Sequence, residues 1–250
     1  RDMTLRTGRG NAGAIGISFL ANEQGTIKNV KVYSGDSSGI YGIDLGHAET
    51  MGQLMLKNVE VRGFNVGVSI RGKKNGVTME HVTLGGQKKY GMDNNNQVVA
   101  SRGLRFKGSV PAVYNHGPNA SLSLVDATIE YFKEKNSAPA TAIINESQLF
   151  ARSIMISKYQ TKIKSKLKGY GEGIVGNEII EFTTQPAKKI CASPNQSMRV
   201  PVAETPEFAE QKPDSWITIA GDYGGKVSNG KDDAKAIQEA IDDGAETIYF

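Results

Sequence analysis

The sequence predicts an all-β protein: a right-handed parallel β-helix with three short strands per coil of about 23 residues, a Pro-containing linker, and a closing helix–strand segment. Three observations carry this. A strand-like unit (polar, apolar, any, apolar) recurs as "DMTL" (2–5), "NVKV" (29–32), "NVEV" (58–61), "HVTL" (81–84), "GLRF" (103–106), "DATI" (126–129) and "SIMI" (153–156), in steps of 27, 29, 23, 22, 23 and 27 residues. A second unit keeps the same beat between them: "IGISF" (15–19), "YGIDL" (41–45), "VGVSI" (66–70), "YGMDN" (90–94), "PAVYN" (111–115) and "TAIIN" (141–145). A third apolar position stands three residues before the central apolar residue of the first unit: Ile27, Leu56, Met79, Leu124 and Ala151, with Ser101 the exception.

A unit this short cannot bury its own apolar side chains, but stacked coils share one continuous core. Period-2 alternation sends Val30 and Val32, or Ile43 and Leu45, inward and the residues between them outward. Leucine-rich repeats have a similar period, but their leucine signature and helical segments are missing. A β-sandwich would not keep so regular a beat. At the end of the second unit Asn94, Asn115 and Asn145 fall at equivalent places, where side-chain amides can bond along a solenoid as amide ladders do in cross-β structures.

The beat covers residues 1–159. Residues 160–214 follow as an extended connector, with strand-like pieces such as "NEIIEF" and then Pro186, Pro194, Pro201, Pro206 and Pro213. Residues 215–250 read as a helix and a strand. Asp232 and Asp233 suit its N-terminus, Ala236, Ile237, Ala240 and Ile241 form one narrow apolar stripe, and Gly244 ends the helix before a strand over Thr247 to Phe250.

Composition agrees with a turn-rich fold. Gly is 29 of 250 residues and aromatics are 7%, and Gly tolerates the left-handed backbone of tight turns. The net charge of +4 comes from dispersed residues and carries no nucleic-acid motif. The densest run, "KIKSKLK" (Lys162–Lys168), reads as a strand with its lysines on one solvated face. The single cysteine, Cys191, rules out an internal disulfide, and no apolar run is long enough to span a membrane. "RDMTLRTG" starts partway through a repeat, so any targeting signal would lie upstream.

The segment "SWITIAGDYGGKVSNGKDDAKAIQEAIDDGAETIYF" (215–250) resembles the start of pectate-lyase-like β-helix domains, where such a helix caps the apolar end of the solenoid. "RVPVAETPEF" (199–208) resembles the linker between tandem β-helices in proteins related to glycoside hydrolase family 55, and "NNNQVVASRGLRF" (94–106) resembles a coil of that family's first β-helix. The resemblance implies the start of a second β-helix behind an N-terminal capping helix. It also implies a secreted monomer with two β-helices packed side by side, and inverting acid–base hydrolysis of a polysaccharide, β-1,3-glucan foremost. No cofactor and no nucleic-acid or membrane partner is expected. In that family a Gln and a Ser from neighbouring coils hold the attacking water, and Gln97 and Ser121 match by coil position. The catalytic acid is expected on the second β-helix, outside these residues.

The residues offer their own candidates. The second unit points Ser18, Asp44, Ser69, Asp93, Tyr114 and Ile144 outward in one column. Asp44 and Asp93, two rungs apart, would stand roughly 9–10 Å from each other at the usual strand spacing. That lies at the edge of the roughly 6.5–9.5 Å used by inverting glycosidases, with Ser69 between them as a substrate contact and Tyr114 as another. A second polar column precedes the third strand: Glu23/Gln24, Gln53, Asn75, Gln97, Ser121 and Ser147/Gln148, which by themselves read as a turn-stabilising ladder. Of the histidines, His81 occupies the polar slot of the first unit as a strand-edge residue, while His47 and His116 fall in turns. None has metal-ligand spacing to Cys or carboxylates, so no metal site is expected. Asn119-Ala120-Ser121 and Asn145-Glu146-Ser147 fit the N-glycosylation pattern. Two rival functions remain: a lyase or epimerase on uronic-acid polymers, for which Arg71 and Arg105 are available, and a non-catalytic sugar-binding, adhesin or tailspike-like β-helix.

Overall fold

A computed structural model of the chain describes residues 2–21, 23–46, 52–72, 76–132, 141–167, 176–185, 199–206, 215–225 and 232–249. Asn75, His47 and Cys191, with Pro186, Pro194 and Pro213, lie outside the described residues. The fold is all-β, a parallel β-solenoid of about six turns. Its backbone divides into two units, residues 1–192 and 193–250.

The second sequence unit forms a seven-stranded parallel sheet of β2 (Ile15–Ser18), β4 (Tyr41–Asp44), β6 (Val66–Ile70), β9 (Tyr90–Asn95), β12 (Val113–His116), β15 (Thr141–Asn145) and β17 (Thr161–Ser165). The other two units share a bent sheet. It holds β1 (Met3–Thr7), β3 (Gln24–Ser34), β5 (Gln53–Arg62), β7 (Gly76–Glu80), β8 (Thr83–Gly85), β10 (Val98–Arg102) and β11 (Arg105–Gly108). It continues with β13 (Ser121–Val125), β14 (Thr128–Tyr131), β16 (Gln148–Ser157) and β18 (Glu178–Thr183). Strands β3, β5 and β16 run through the bend unbroken, and the other coils split there into two strands.

The bend explains the polar slot of the repeat. Asp2, Asn29, Asn58, His81, Asp126 and Ser153 all have φ between 52° and 56°, and Gly103 has φ 67°. In this left-handed region a β-carbon crowds the following carbonyl, and short polar residues and Gly bear it best. Asn58 donates to Asn29 (3.1 Å) and Asn29 to Asp2 (2.7 Å), so the column is also an exposed side-chain ladder. His81 is therefore a bend residue and not merely an edge one. A β-carbon at position 103 would come within 2.7 Å of its ring, which is why Gly stands in that slot.

The inward residues stack in register. Ile27, Leu56, Met79, Ser101, Leu124 and Ala151 are successive partners, as are Ile17, Ile43, Val68, Met92, Val113, Ile143 and Ile163. Val30, Val32, Ile43 and Leu45 are buried as the alternation predicts. Each fully buried Val, Leu or Ile contributes about 1.5–3 kcal/mol, and no coil could collect this without its neighbours. Within this core Ser101 Oγ has no hydrogen-bond partner, the one polar lapse in its column.

One corner breaks the alternation. Residues 16, 42, 67, 91, 112, 142 and 162 precede the inward column, and a β-carbon on Gly42 would lie 2.2 Å from Val61 Cγ1 and 2.7 Å from the Gly67 carbonyl oxygen. The corner position points into the core and is filled by Gly, then by Ala112 and Ala142, both buried. Lys162 occupies it in the last coil. It is buried, with its ammonium 2.9 Å from the Tyr159 carbonyl oxygen, and burial lowers its pKa. The expectation that the lysines of "KIKSKLK" share one solvated face thus fails at Lys162, because the corner reverses its direction, while Lys164 and Lys166 are exposed.

The solenoid runs beyond residue 159. Strand β17 adds a seventh rung through Ser165, and β18 closes the edge of β16 in antiparallel pairing, with Ile179 and Phe182 buried. Edge closure of this kind removes a template for unwanted strand addition. Residues 199–206 are exposed and without regular structure.

In the second unit β19 (Ile217–Thr218) pairs in parallel with β20 (Ile248–Tyr249). Thr218 caps the short α1 (Ile219–Asp222), its hydroxyl accepting from Gly221 N. In α2 (Ala234–Asp242) the Asp232 carboxylate accepts from Ala234 N (2.9 Å), whereas Asp233 makes no side-chain cap bond. Of the predicted stripe Ala240 is buried, Ala236 and Ile237 are half-buried, and Ile241 is exposed.

Candidate functional site

The outward column of the seven-stranded sheet is laid out as the repeat predicts: Ser18, Asp44, Ser69, Asp93, Tyr114, Ile144 and Lys164 are successive register partners. Two residues further along each strand a second outward column forms from Gly46, Arg71, Asn95, His116, Glu146 and Lys166. Side chains of the two columns meet, and they make two clusters.

The first cluster is closed. Arg71 pairs with both Asp44 oxygens (Nη1–Oδ1 2.9 Å, Nη2–Oδ2 3.0 Å), and Nη1 also donates to the Ser69 hydroxyl. Asp44 Oδ1 accepts from Gly46 N (2.9 Å), and the guanidinium lies over the Tyr41 ring at 4.4 Å. A β-carbon on Gly46 would lie 2.4 Å from Arg71, so the glycine makes room for the clamp. Asp44 and Ser69 are consequently buried, at 8% and 1% exposure. Neither the expected acid–base partner of Asp93 nor the expected substrate contact faces solvent.

The second cluster is open. Asp93 Oδ1 lies 2.9 Å from His116 Nε2, with both side chains about a quarter exposed. The His116 ring stacks on Tyr114 (centroids 4.0 Å, planes 10° apart), and Tyr90 packs tilted against Tyr114 at 4.9 Å. The Tyr114 hydroxyl donates to Glu146 Oε1 (3.1 Å), which also receives Lys166 Nζ at 2.5 Å. Burial, then the Glu146 bond, raises the Tyr114 pKa to about 12. The Lys166 hydrogen bond, helped by that of Tyr114, holds the Glu146 carboxyl below the usual range.

The asparagines beneath these columns are structural. Asn94 donates to Asn115 (2.8 Å) and Asn115 to Asn145 (2.7 Å), and all three are fully buried. Asn145 also donates to the Ser147 carbonyl oxygen (2.7 Å), so its glycosylation pattern has no accessible amide. Asn119 is exposed.

Gln97 and Ser121 do not share a register position. Ser121 pairs with Val98 and faces outward, whereas Gln97 is buried in the turn, its amide donating to the Gly72 (2.8 Å) and Asn95 (3.3 Å) carbonyls. That geometry suits a turn brace.

Sequence reading placed Asp93 and Tyr114 in the outward column but assigned His116 to a turn, whereas it ends strand β12, and did not reach Glu146 and Lys166, because it counted only within each strand unit. Extending the alternation two residues past "PAVYN" and "TAIIN" reaches them. Among the described residues no group of three or more His, Cys, Asp or Glu is placed to hold a metal ion, and no helix is long and apolar enough to cross a membrane. Set against protein-family models, curated proteins and solved structures, the chain matches none, so the chain is identified by its architecture alone.

Proposed function

We propose that this chain is part of a secreted carbohydrate-active protein in which two right-handed parallel β-helices stand side by side, related to family 55 glucanases within the pectate-lyase-like group. Its activity is inverting hydrolysis of a polysaccharide, with β-1,3-glucan the leading substrate. In this reading α2 caps the second β-helix, and the proton donor comes from that second helix.

The observation that supports it is the open cluster on the seven-stranded sheet. Tyr90, Asp93, Tyr114, His116 and Glu146 line successive rungs about 4.8 Å apart, mixing aromatic surface with carboxylate and imidazole, the mixture of apolar body and placed polar groups that binding sites use.

Incubating the full-length protein with laminarin, polygalacturonate and xylan tests the proposal. Glucose released from laminarin is expected. Unsaturated uronate products with laminarin untouched would overturn it in favour of a lyase, and binding without turnover in favour of a non-catalytic module.

A further inference from the structure

The imidazole of His116 is fixed on two sides. Asp93 Oδ1 lies 2.9 Å from Nε2, the Tyr114 ring is stacked on one face, and Tyr114 is itself held by Glu146, which Lys166 pairs. The hydrogen bond to a carboxylate places the neutral ring's proton on Nε2, which leaves the lone pair on Nδ1. The His116 side chain is about a fifth exposed, so the imidazole is open to solvent. A base held by an orienting carboxylate is the arrangement that proton-transfer chemistry requires. The titratable groups facing the ring are Asp93 on β9, Tyr114 on its own strand β12 with Tyr90 of β9 behind it, and Glu146 after β15 with its Lys166 partner after β17.

We infer that His116 is the general base of this face and that Asp93 is its positioning residue. The inference rests on the glycan-hydrolysis reading. Nδ1 takes a proton from a water as the water oxygen bonds to the anomeric carbon. The glycosidic C–O bond breaks with its electron pair on the leaving oxygen, which takes a proton from a carboxylic acid of the second β-helix. The proton on Nδ1 then passes to solvent.

The test uses laminarin hydrolysis by the full-length protein, with His116→Gln and Asp93→Asn beside the wild type. His116→Gln should lower kcat about 100- to 10,000-fold with KM little changed. Asp93→Asn should lower kcat less and displace the acidic limb of the pH–rate profile. Nitrogen-15 NMR of the wild type should report the Nε2–H tautomer at His116. Wild-type turnover retained by a folded His116→Gln, or an Nδ1–H tautomer, overturns the assignment and leaves the glycan reading standing. A wild type that turns over none of the glycans overturns both.

Discussion

Replacing Asn115 by Ala probes how the solenoid tolerates polar groups at its centre. Asn115 is fully buried, accepts from Asn94 at 2.8 Å, and donates to Asn145 Oδ1 at 2.7 Å and to the Gln148 carbonyl oxygen at 2.9 Å. Truncation removes the donors that serve those two oxygens. A buried polar group left without a partner costs about 1–3 kcal/mol, and the void left by the amide adds to it. The expected loss is about 3–6 kcal/mol, or about 6–24 °C in Tm for a chain of this size. The control is Asn29→Gly, which keeps the left-handed bend but cuts the exposed ladder, where each bond is made in water. It should cost less than about 1 kcal/mol. Thermal melts followed by circular dichroism measure both. Equal losses, or a loss under about 1 kcal/mol at Asn115, would refute the claim that the buried amide ladder stabilises the stacked coils.

Four further outcomes are expected. Asn58→Val should destabilise by about 1–2 kcal/mol because a β-branched residue resists φ near 53°, whereas Asn58→Gly should be nearly neutral, as read by denaturant titration. Gly67→Ala places a β-carbon 2.6 Å from the Gly91 carbonyl oxygen and 3.1 Å from Leu84, and overpacking of this kind costs about 1–3 kcal/mol, visible as a lowered Tm. Glu146 has its folded pKa depressed, chiefly by the Lys166 hydrogen bond. Its contribution is therefore present above the unfolded glutamate value of about 4.3 and lost as pH falls through the folded one. Lys166→Met should lower Tm at pH 7 and converge with the wild type in strong acid. Tyr114 is the mirror case, raised to about 12 by burial and then by Glu146. Its contribution holds below the ordinary tyrosine value of about 10 and disappears as pH climbs to about 12.

The repeat made the coils readable because one physical demand, shared burial, recurs at each turn. It set the inward residues Val30, Ile43 and Met92 and the outward column from Ser18 to Ile144. The polar slot of the first unit was visible too, but its cause, a left-handed bend at Asn29, Asn58 and His81, is a backbone property that alternation does not express. Lys162 misled because the corner before each inward residue reverses side-chain direction. The closing of Asp44 and Ser69 beneath Arg71 was hidden for another reason. Arg71 lies in a neighbouring coil 27 residues from Asp44, and long side chains at strand ends choose partners by geometry that spacing cannot supply. The same limit concealed the pairing of His116 with Asp93, 23 residues apart.

The most direct test of the account is where a glycan lies on the protein. Hydroxyl-radical footprinting of the full-length protein with and without laminari-oligosaccharide reads this residue by residue. Protection should fall on Tyr90, Tyr114 and His116 of the seven-stranded face, with Tyr33 and Phe132, in or at the ends of strands of the bent sheet, unchanged. Protection confined to the bent sheet, or none at a concentration that supports turnover, would contradict it.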